Sequence, residues 1–167
     1  MLRDLINLKK LRDAALYLLF CAAAVFLQDS VIGPIRLFGV SMMFVPAAAV
    51  AVGYFAGGVW GAAFGLVLGF LSDISFGYVA LFVALFPLLG FFAGVLSRWY
   101  VNAGLFAYLC TCLAAFAITA AVQVLFAALG SGLTASMLVT ALIQTLWSLP
   151  MAAVLYYPAR AIGRPGA

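Results

Sequence analysis

The sequence predicts an all-α protein that crosses a membrane several times, and three observations support this. The 167-residue chain is 69% hydrophobic and only 7% charged, whereas a soluble domain carries roughly 25% charged residues. No charged residue occurs between Arg36 and Asp73 or between Arg98 and Arg160, and each stretch is longer than the about 20 residues of one spanning helix. The alternation of polar and apolar residues that marks the strands of a membrane barrel is missing. We therefore predict a polytopic integral membrane protein.

The chain divides into three predicted parts. Residues 1–13 form a basic cytoplasmic N-terminal segment, residues 14–157 form a single six-helix transmembrane domain, and residues 158–167 form a short basic cytoplasmic tail. The first segment mixes charged and apolar residues, so it either lies on the membrane surface as a short helix or flanks the first span with positive charge. The loops between the spans are short, so we expect no soluble domain on either face.

Turn-forming residues separate the six predicted transmembrane helices. Glycine, proline, asparagine and serine cluster at residues 33–34, 57–58, 77, 102–104 and 130–132. The predicted spans are, in order, 14–32, 38–54, 57–73, 78–97, 104–129 and 137–157. The second and third spans are short, because about 17 residues reach only about 26 Å across a hydrocarbon core of roughly 30 Å. We expect that the membrane thins there or that the third span is surrounded by protein.

The basic residues predict the orientation of these spans. With both termini in the cytoplasm, Arg36 is the only basic residue outside. The cytoplasmic side then holds Arg3, Lys9, Lys10, Arg12, Arg98, Arg160 and Arg164. This distribution follows the excess of positive charge that cytoplasmic loops carry. We predict a multi-pass protein with cytoplasmic N- and C-termini.

A line of glycines follows the third predicted span. Glycine recurs at every fourth residue from Gly53 to Gly77, except that Asp73 takes one place. Such a line forms a groove without side chains, in which two membrane helices bring their backbones together. The groove either packs the third span on the fourth or receives a partner's helix. The candidate residues are Gly57, Gly61, Gly65 and Gly69, with Gly90 and Gly94 on the fourth span.

Polar residues in the spans form a second set of candidates. Asp73 is solvated at the outer boundary, anchors the turn between the third and fourth spans through buried hydrogen bonds, or takes part in a proton or ion relay. Stripes of Thr, Gln and Ser on the fifth and sixth spans either hold helices together or line a wet cavity for a neutral ligand. The candidate buried polar anchors are Gln28, Asp29, Asp73, Thr119, Gln123 and Gln144.

Several classes of function lack the residues that they need. The chain has no His and no Glu, and its three cysteines form no Cys-x-x-Cys pair, so we predict neither a metal site nor a catalytic centre. The glycine-rich stretch lacks the lysine of a phosphate loop. The basic residues lie where a membrane protein meets the cytoplasm, so the positive charge does not indicate nucleic acid. We predict no cofactor and no enzymatic activity.

Four stretches of the chain resemble the bacterial rod shape-determining protein MreD. They are residues 18–28, 38–40, 61–77 and 149–157. With the size and the six-span layout, the resemblance covers nearly the whole chain, and Asp73 takes the place of the family's aspartate. It implies a non-enzymatic scaffold of the cell-elongation and peptidoglycan-synthesis machinery in the bacterial inner membrane. The implied partners are the membrane lipid, an MreC-like single-span protein and, indirectly, the MreB filament and the peptidoglycan synthases.

The alternative function is that of a substrate-binding subunit in an energy-coupling-factor vitamin transporter. Those subunits also have six helices, and MreD-like proteins resemble them in architecture. Many carry an Ala-xxx-Ala pattern in the first span for docking the coupling subunit. Residues 14–27 lack this pattern although they contain three consecutive alanines. A small proton-coupled exporter is a weaker alternative, because only Asp29 and Asp73 remain as membrane carboxylates.

Overall fold

The structure is a computed structural model, and it describes residues 2–32, 36–37, 40–76, 80–99, 104–132 and 134–163. Six α-helices make up nearly all of this part: α1 (Leu2–Leu27), α2 (Val45–Ala56), α3 (Gly58–Phe76), α4 (Leu81–Trp99), α5 (Leu105–Ser131) and α6 (Ala135–Gly163). A π-helical turn, Gln28–Ile32, continues α1. Two short strands, β1 (Arg36–Leu37) and β2 (Val40–Ser41), pair antiparallel with Arg36 opposite Ser41. The predicted all-α class is confirmed apart from this four-residue ladder.

Five helices of the described part are long and apolar enough to cross a membrane. The qualifying windows are Leu11–Ser30, Gly58–Ser75, Leu81–Trp99, Leu105–Gly130 and Ala135–Gly163. These helices are compatible with the polytopic membrane protein that the sequence predicts. The helix α1 begins at Leu2, so the basic N-terminal segment continues the first span without a break.

The prediction of a full second span over residues 38–54 is wrong. Helix α2 has 12 residues and is therefore about 18 Å long at 1.5 Å per residue. Its residues from Val45 to Tyr54 are all buried, and α2 contacts each of the other five helices. The short element surrounded by protein is thus α2, whereas the glycine-bearing α3 reaches Phe76 and exposes one face.

The chain reverses between α2 and α3 at a single residue. Gly57 has a φ of 100°, a conformation that residues with a Cβ rarely adopt. Its N–H donates to the carbonyl oxygen of Gly53 at 2.9 Å, which closes the last turn of α2. We name the two ends of the helix bundle after residues that lie there, the Gly57 end and the Asp73 end.

Candidate functional site

The glycines of α3 lie against the backbone of α4. A Cβ atom added to Gly65 would lie 2.5 Å from the carbonyl oxygen of Phe86, and one added to Gly69 would overlap the carbonyl oxygen of Phe82. No side chain fits at such distances, so the two helices touch backbone to backbone. The sequence left two uses of the glycine groove open, packing against the fourth span or receiving a partner's helix. In the structure, the groove packs against the fourth span, α4. A partner's helix has no room on this line.

Three helices meet around a second group of glycines, which lies nearer the Gly57 end. A Cβ atom on either Gly53 or Gly61 would overlap the carbonyl oxygen of Gly90. A Cβ atom on Gly94 would overlap the backbone nitrogen of Gly58. Helices α2, α3 and α4 therefore form one compact unit, in which glycine is needed for close approach and not for flexibility.

Gly57 has a different role from the other described glycines of the predicted line. The nearest atom to a Cβ on Gly57 would be the Arg98 guanidinium nitrogen at 4.0 Å, so Gly57 serves the turn described above. Gly77 lies outside the described residues.

Asp73 caps the start of α4. Its carboxylate oxygens accept hydrogen bonds from the backbone N–H groups of Phe82 and Val83, each at 3.0 Å, and only 7% of the residue is exposed. These N–H groups belong to the first turn of α4, where no intrahelical partner exists and a negative charge is favourable. The Asp73 side chain, which belongs to α3, thus acts as the N-cap of α4. This is the buried anchor among the three roles considered for Asp73.

Gln28 and Ser148 hold the non-helical backbone that precedes α2. The Gln28 amide nitrogen donates to the carbonyl oxygen of Met42 at 2.6 Å, and its amide oxygen accepts from the N–H of Phe44 at 2.9 Å. The N–H of Met43 donates to the Ser148 hydroxyl at 3.2 Å. Non-helical backbone within a membrane bundle is stable only where protein groups satisfy its N–H and carbonyl groups. Gln28 is 1% exposed, so it is a buried anchor.

Asp29 is not a buried anchor, which corrects the prediction. Its side chain is exposed and accepts a hydrogen bond from the Ser75 hydroxyl at 2.8 Å. The bond still joins the end of α1 to the end of α3. Because the Asp29 carboxylate is exposed, it needs no buried partner to offset a cost of desolvation.

The polar stripes of α5 and α6 line an open cleft, which we call the α5–α6 cleft. Its volume is about 340 Å³. The lining residues are Met43, Ala120, Gln123, Val124, Ala127, Ser136, Met137, Thr140, Ala141 and Gln144. Gln123 and Gln144 are half-buried rather than buried, which corrects their assignment as buried anchors. Thr119 is buried, but its hydroxyl donates to Ala115 within its own helix.

The cleft ends at the segment that leads into α2. The Gln123 amide nitrogen donates to the Met43 sulfur at 3.2 Å, and Ser148 holds the N–H of the same Met43. The amides and hydroxyls along the walls can donate and accept hydrogen bonds but carry no charge. The cleft therefore suits a neutral polar group and offers no nucleophile activated by a base.

A second opening, which we call the α4–α5 groove, was not predicted. It has a volume of about 350 Å³ and is lined by Val50, Leu89, Phe92, Ala93, Val95, Leu96, Trp99, Thr111, Ala114, Ala115 and Ile118. Helices α4 and α5 are consecutive, yet they touch at few positions. Exposed Phe92, Leu96 and Ile118 give the groove an apolar surface. The gap depends on helix crossing angles, which leave no local pattern in the sequence.

A third opening, the α1–α6 cavity, lies at the Gly57 end and was also not predicted. Its volume is about 200 Å³, and its walls are Asp13, Tyr17, Phe55, Ala56, Trp60, Ile162 and Gly163. The residues come from α1, α2, α3 and α6. The aromatic residues near this boundary were the available signal, since rings with a polar group prefer that depth.

The described residues contain no group of three or more metal-ligating side chains of the His, Cys, Asp and Glu types. Comparison of the chain with protein-family models, with characterised proteins and with solved structures gave no match.

Proposed function

We propose that this protein is a non-enzymatic scaffold of the bacterial cell-elongation machinery, similar to MreD, in the inner membrane. It would dock the transmembrane helix of an MreC-like partner and connect through it with the MreB filament and the peptidoglycan synthases. The sequence resemblance supports this proposal, and it includes the aspartate that here caps α4.

The α4–α5 groove is the observation that carries the docking function. Its walls are apolar apart from Thr111, whose hydroxyl donates to the carbonyl of Ala107 in its own helix. Ala114 is small and exposed, so a partner's backbone can approach α5 closely there, as in other membrane helix pairs. The proposed partner surface is thus not the glycine line, for which receiving a partner's helix was one of two predicted uses, because α4 already fills that line.

The positions of three arginines support the orientation proposed for the scaffold. Arg98 is in the last turn of α4, Arg160 is in the last turn of α6, and Arg12 lies near the start of the first span. All three are at the Gly57 end of the bundle. Because basic residues collect on the cytoplasmic side, this end and both termini would face the cytoplasm.

A matched pair of substitutions tests the docking surface. Ala114 and Ala117 are both exposed on α5, but only Ala114 lines the groove. We expect Ala114→Leu to reduce co-purification of a co-expressed MreC-like protein roughly tenfold, since a loss of about 1.4 kcal/mol has that effect. Ala117→Leu should leave recovery unchanged. Equal recovery with both variants would show that the groove is not the partner site.

The alternative function is substrate binding in an energy-coupling-factor transporter, and the α5–α6 cleft is the observation that favours it. Its volume of about 340 Å³ falls in the roughly 300–1,000 Å³ range of small-molecule sites. Native mass spectrometry of the protein released from detergent separates the two functions. A bound single-span protein supports the scaffold, whereas a bound small metabolite that is lost in Gln144→Leu supports the transporter subunit.

A further inference from the structure

Tyr17 lines the α1–α6 cavity and carries a buried hydroxyl group without a hydrogen-bond partner among the described residues. Tyr17 is 3% exposed, and its hydroxyl makes no hydrogen bond in the described part of the protein. The hydroxyl faces Gly163, because a Cβ atom added there would lie 3.0 Å from it. Buried polar groups are nearly always paired, so the unpaired hydroxyl of a residue that lines a cavity points to a ligand that completes it.

A carboxylate lies on the same cavity wall. Asp13 is half-buried and forms an ion pair with Arg12 at 3.5 Å. The Arg12 side chain is 68% exposed, so water weakens this pair. The Asp13 carboxylate can therefore accept a hydrogen bond from a cation that enters the cavity.

Aromatic rings form much of the remaining wall. Trp60 is stacked on Phe64, with ring centroids 5.9 Å apart, and Phe55 meets Tyr156 edge to face at 5.4 Å. These contacts fix the rings that line the cavity. The face of an aromatic ring attracts an ammonium group, most strongly for tryptophan. Carboxylate, hydroxyl and rings together recognise a cation that also donates hydrogen bonds.

The position of the cavity points to a lipid as the source of this cation. Asp13 and Tyr17 lie in the first turns of the Leu11–Ser30 window, and tryptophans such as Trp60 favour the depth of lipid headgroups. The volume of about 200 Å³ is below the roughly 300 Å³ at which pockets hold drug-sized ligands. It suits a headgroup and not a whole metabolite.

We infer that the α1–α6 cavity binds the primary ammonium of an ethanolamine phospholipid. The ammonium donates to the Asp13 carboxylate and the Tyr17 hydroxyl and lies against the ring of Trp60. The exposed Arg12 guanidinium, beside Asp13, binds the lipid phosphate. The adjacent opposite charges of Arg12 and Asp13 match those of the zwitterionic headgroup.

Native mass spectrometry from nanodiscs of equal parts phosphatidylethanolamine and phosphatidylglycerol tests this inference. The wild-type protein should retain phosphatidylethanolamine in preference to phosphatidylglycerol. Asp13→Asn and Tyr17→Phe should each weaken retention roughly tenfold, as expected for a lost hydrogen bond to a charged group. The matched controls are Asp29→Asn and Tyr157→Phe, which remove an exposed carboxylate and an exposed hydroxyl elsewhere and should retain the lipid.

Three outcomes would overturn the inference. Equal retention by the wild type and both cavity variants would show that the lipid binds elsewhere. Equal retention of phosphatidylglycerol would show that no ammonium is recognised. Full displacement of the lipid by soluble phosphoethanolamine would identify a soluble ligand instead. Thermal unfolding of each variant in lipid-free detergent should match that of the wild type, which separates loss of the site from loss of the fold.

Discussion

The unit formed by α2, α3 and α4 and the pair formed by α5 and α6 differ in how closely their helices approach. In the first unit, glycines such as Gly61 and Gly90 bring backbones into contact, and α2 is buried along nearly its whole length. In the second, alanine, threonine and glutamine leave the α5–α6 cleft, and the α4–α5 groove separates the two parts.

The helix surfaces that stabilise the bundle are therefore not the ones that can bind a ligand or a partner. Helices in lipid gain little from hydrophobic burial against each other, so close van der Waals contact has to stabilise the bundle. The glycine unit supplies that contact and thereby leaves no space for a ligand or a partner. Binding surfaces are to be sought where the helices remain apart.

The largest effect should come from filling the glycine line. Gly69→Leu places a side chain where even a Cβ overlaps the Phe82 carbonyl oxygen, so α3 and α4 have to separate. We expect a loss of at least about 4 kcal/mol in the free energy of unfolding, the range of severe overpacking and lost packing. Titration with a denaturing detergent measures it.

Leu66→Ala is the control for Gly69→Leu. Leu66 lies on the same helix but is 53% exposed, so its truncation should change the free energy of unfolding by less than about 0.5 kcal/mol. A Gly69→Leu protein as stable as the wild type would contradict the backbone contact between α3 and α4.

Removing the cap of α4 should have an intermediate effect. Asp73→Leu leaves the N–H groups of Phe82 and Val83 without their acceptor, and we expect a loss of about 3 kcal/mol in the free energy of unfolding. Asp73→Asn keeps one acceptor oxygen, so about half of that loss should remain. If Asn proves as damaging as Leu, the charge of Asp73 and not its hydrogen bonding is required.

Helices α3 and α4 were predictable from local sequence, but the contact between them was not. Glycine spacing indicated a close helix contact and identified Gly65 and Gly69. Glycine spacing did not show whether the neighbouring helix is α4 or a partner's helix, because glycines contact backbone atoms, which are the same in any helix. The role of Asp73 stayed open for a similar reason, because its donors belong to the next helix along the chain.

The length of α2 was not predictable from hydropathy. Residues before Val45 are as apolar as those after it, so an extended segment and a buried helix look alike in a hydropathy scan. Pro46 stands in the first turn of α2, where proline favours a helix start, and hydrogen bonds from Gln28 and Ser148 hold the non-helical backbone before it. Ser148 is 105 residues away from Met43. Long-range contacts of this kind leave no local pattern.

The smallest expected effect is an increase, and not a loss, in the free energy of unfolding. Gly130 lies in the last turns of α5, has an ordinary helical conformation, and a Cβ added there would meet nothing within 4 Å. Alanine restricts the unfolded chain more than glycine does, so Gly130→Ala should raise the free energy of unfolding by about 0.5 kcal/mol. Gly65→Ala makes the same chemical change against the Phe86 carbonyl oxygen and should lower it. Titration of the two variants with a denaturing detergent therefore tests whether glycine is required only in the compact unit, and a loss of stability in both would show that α5 also packs through its glycine.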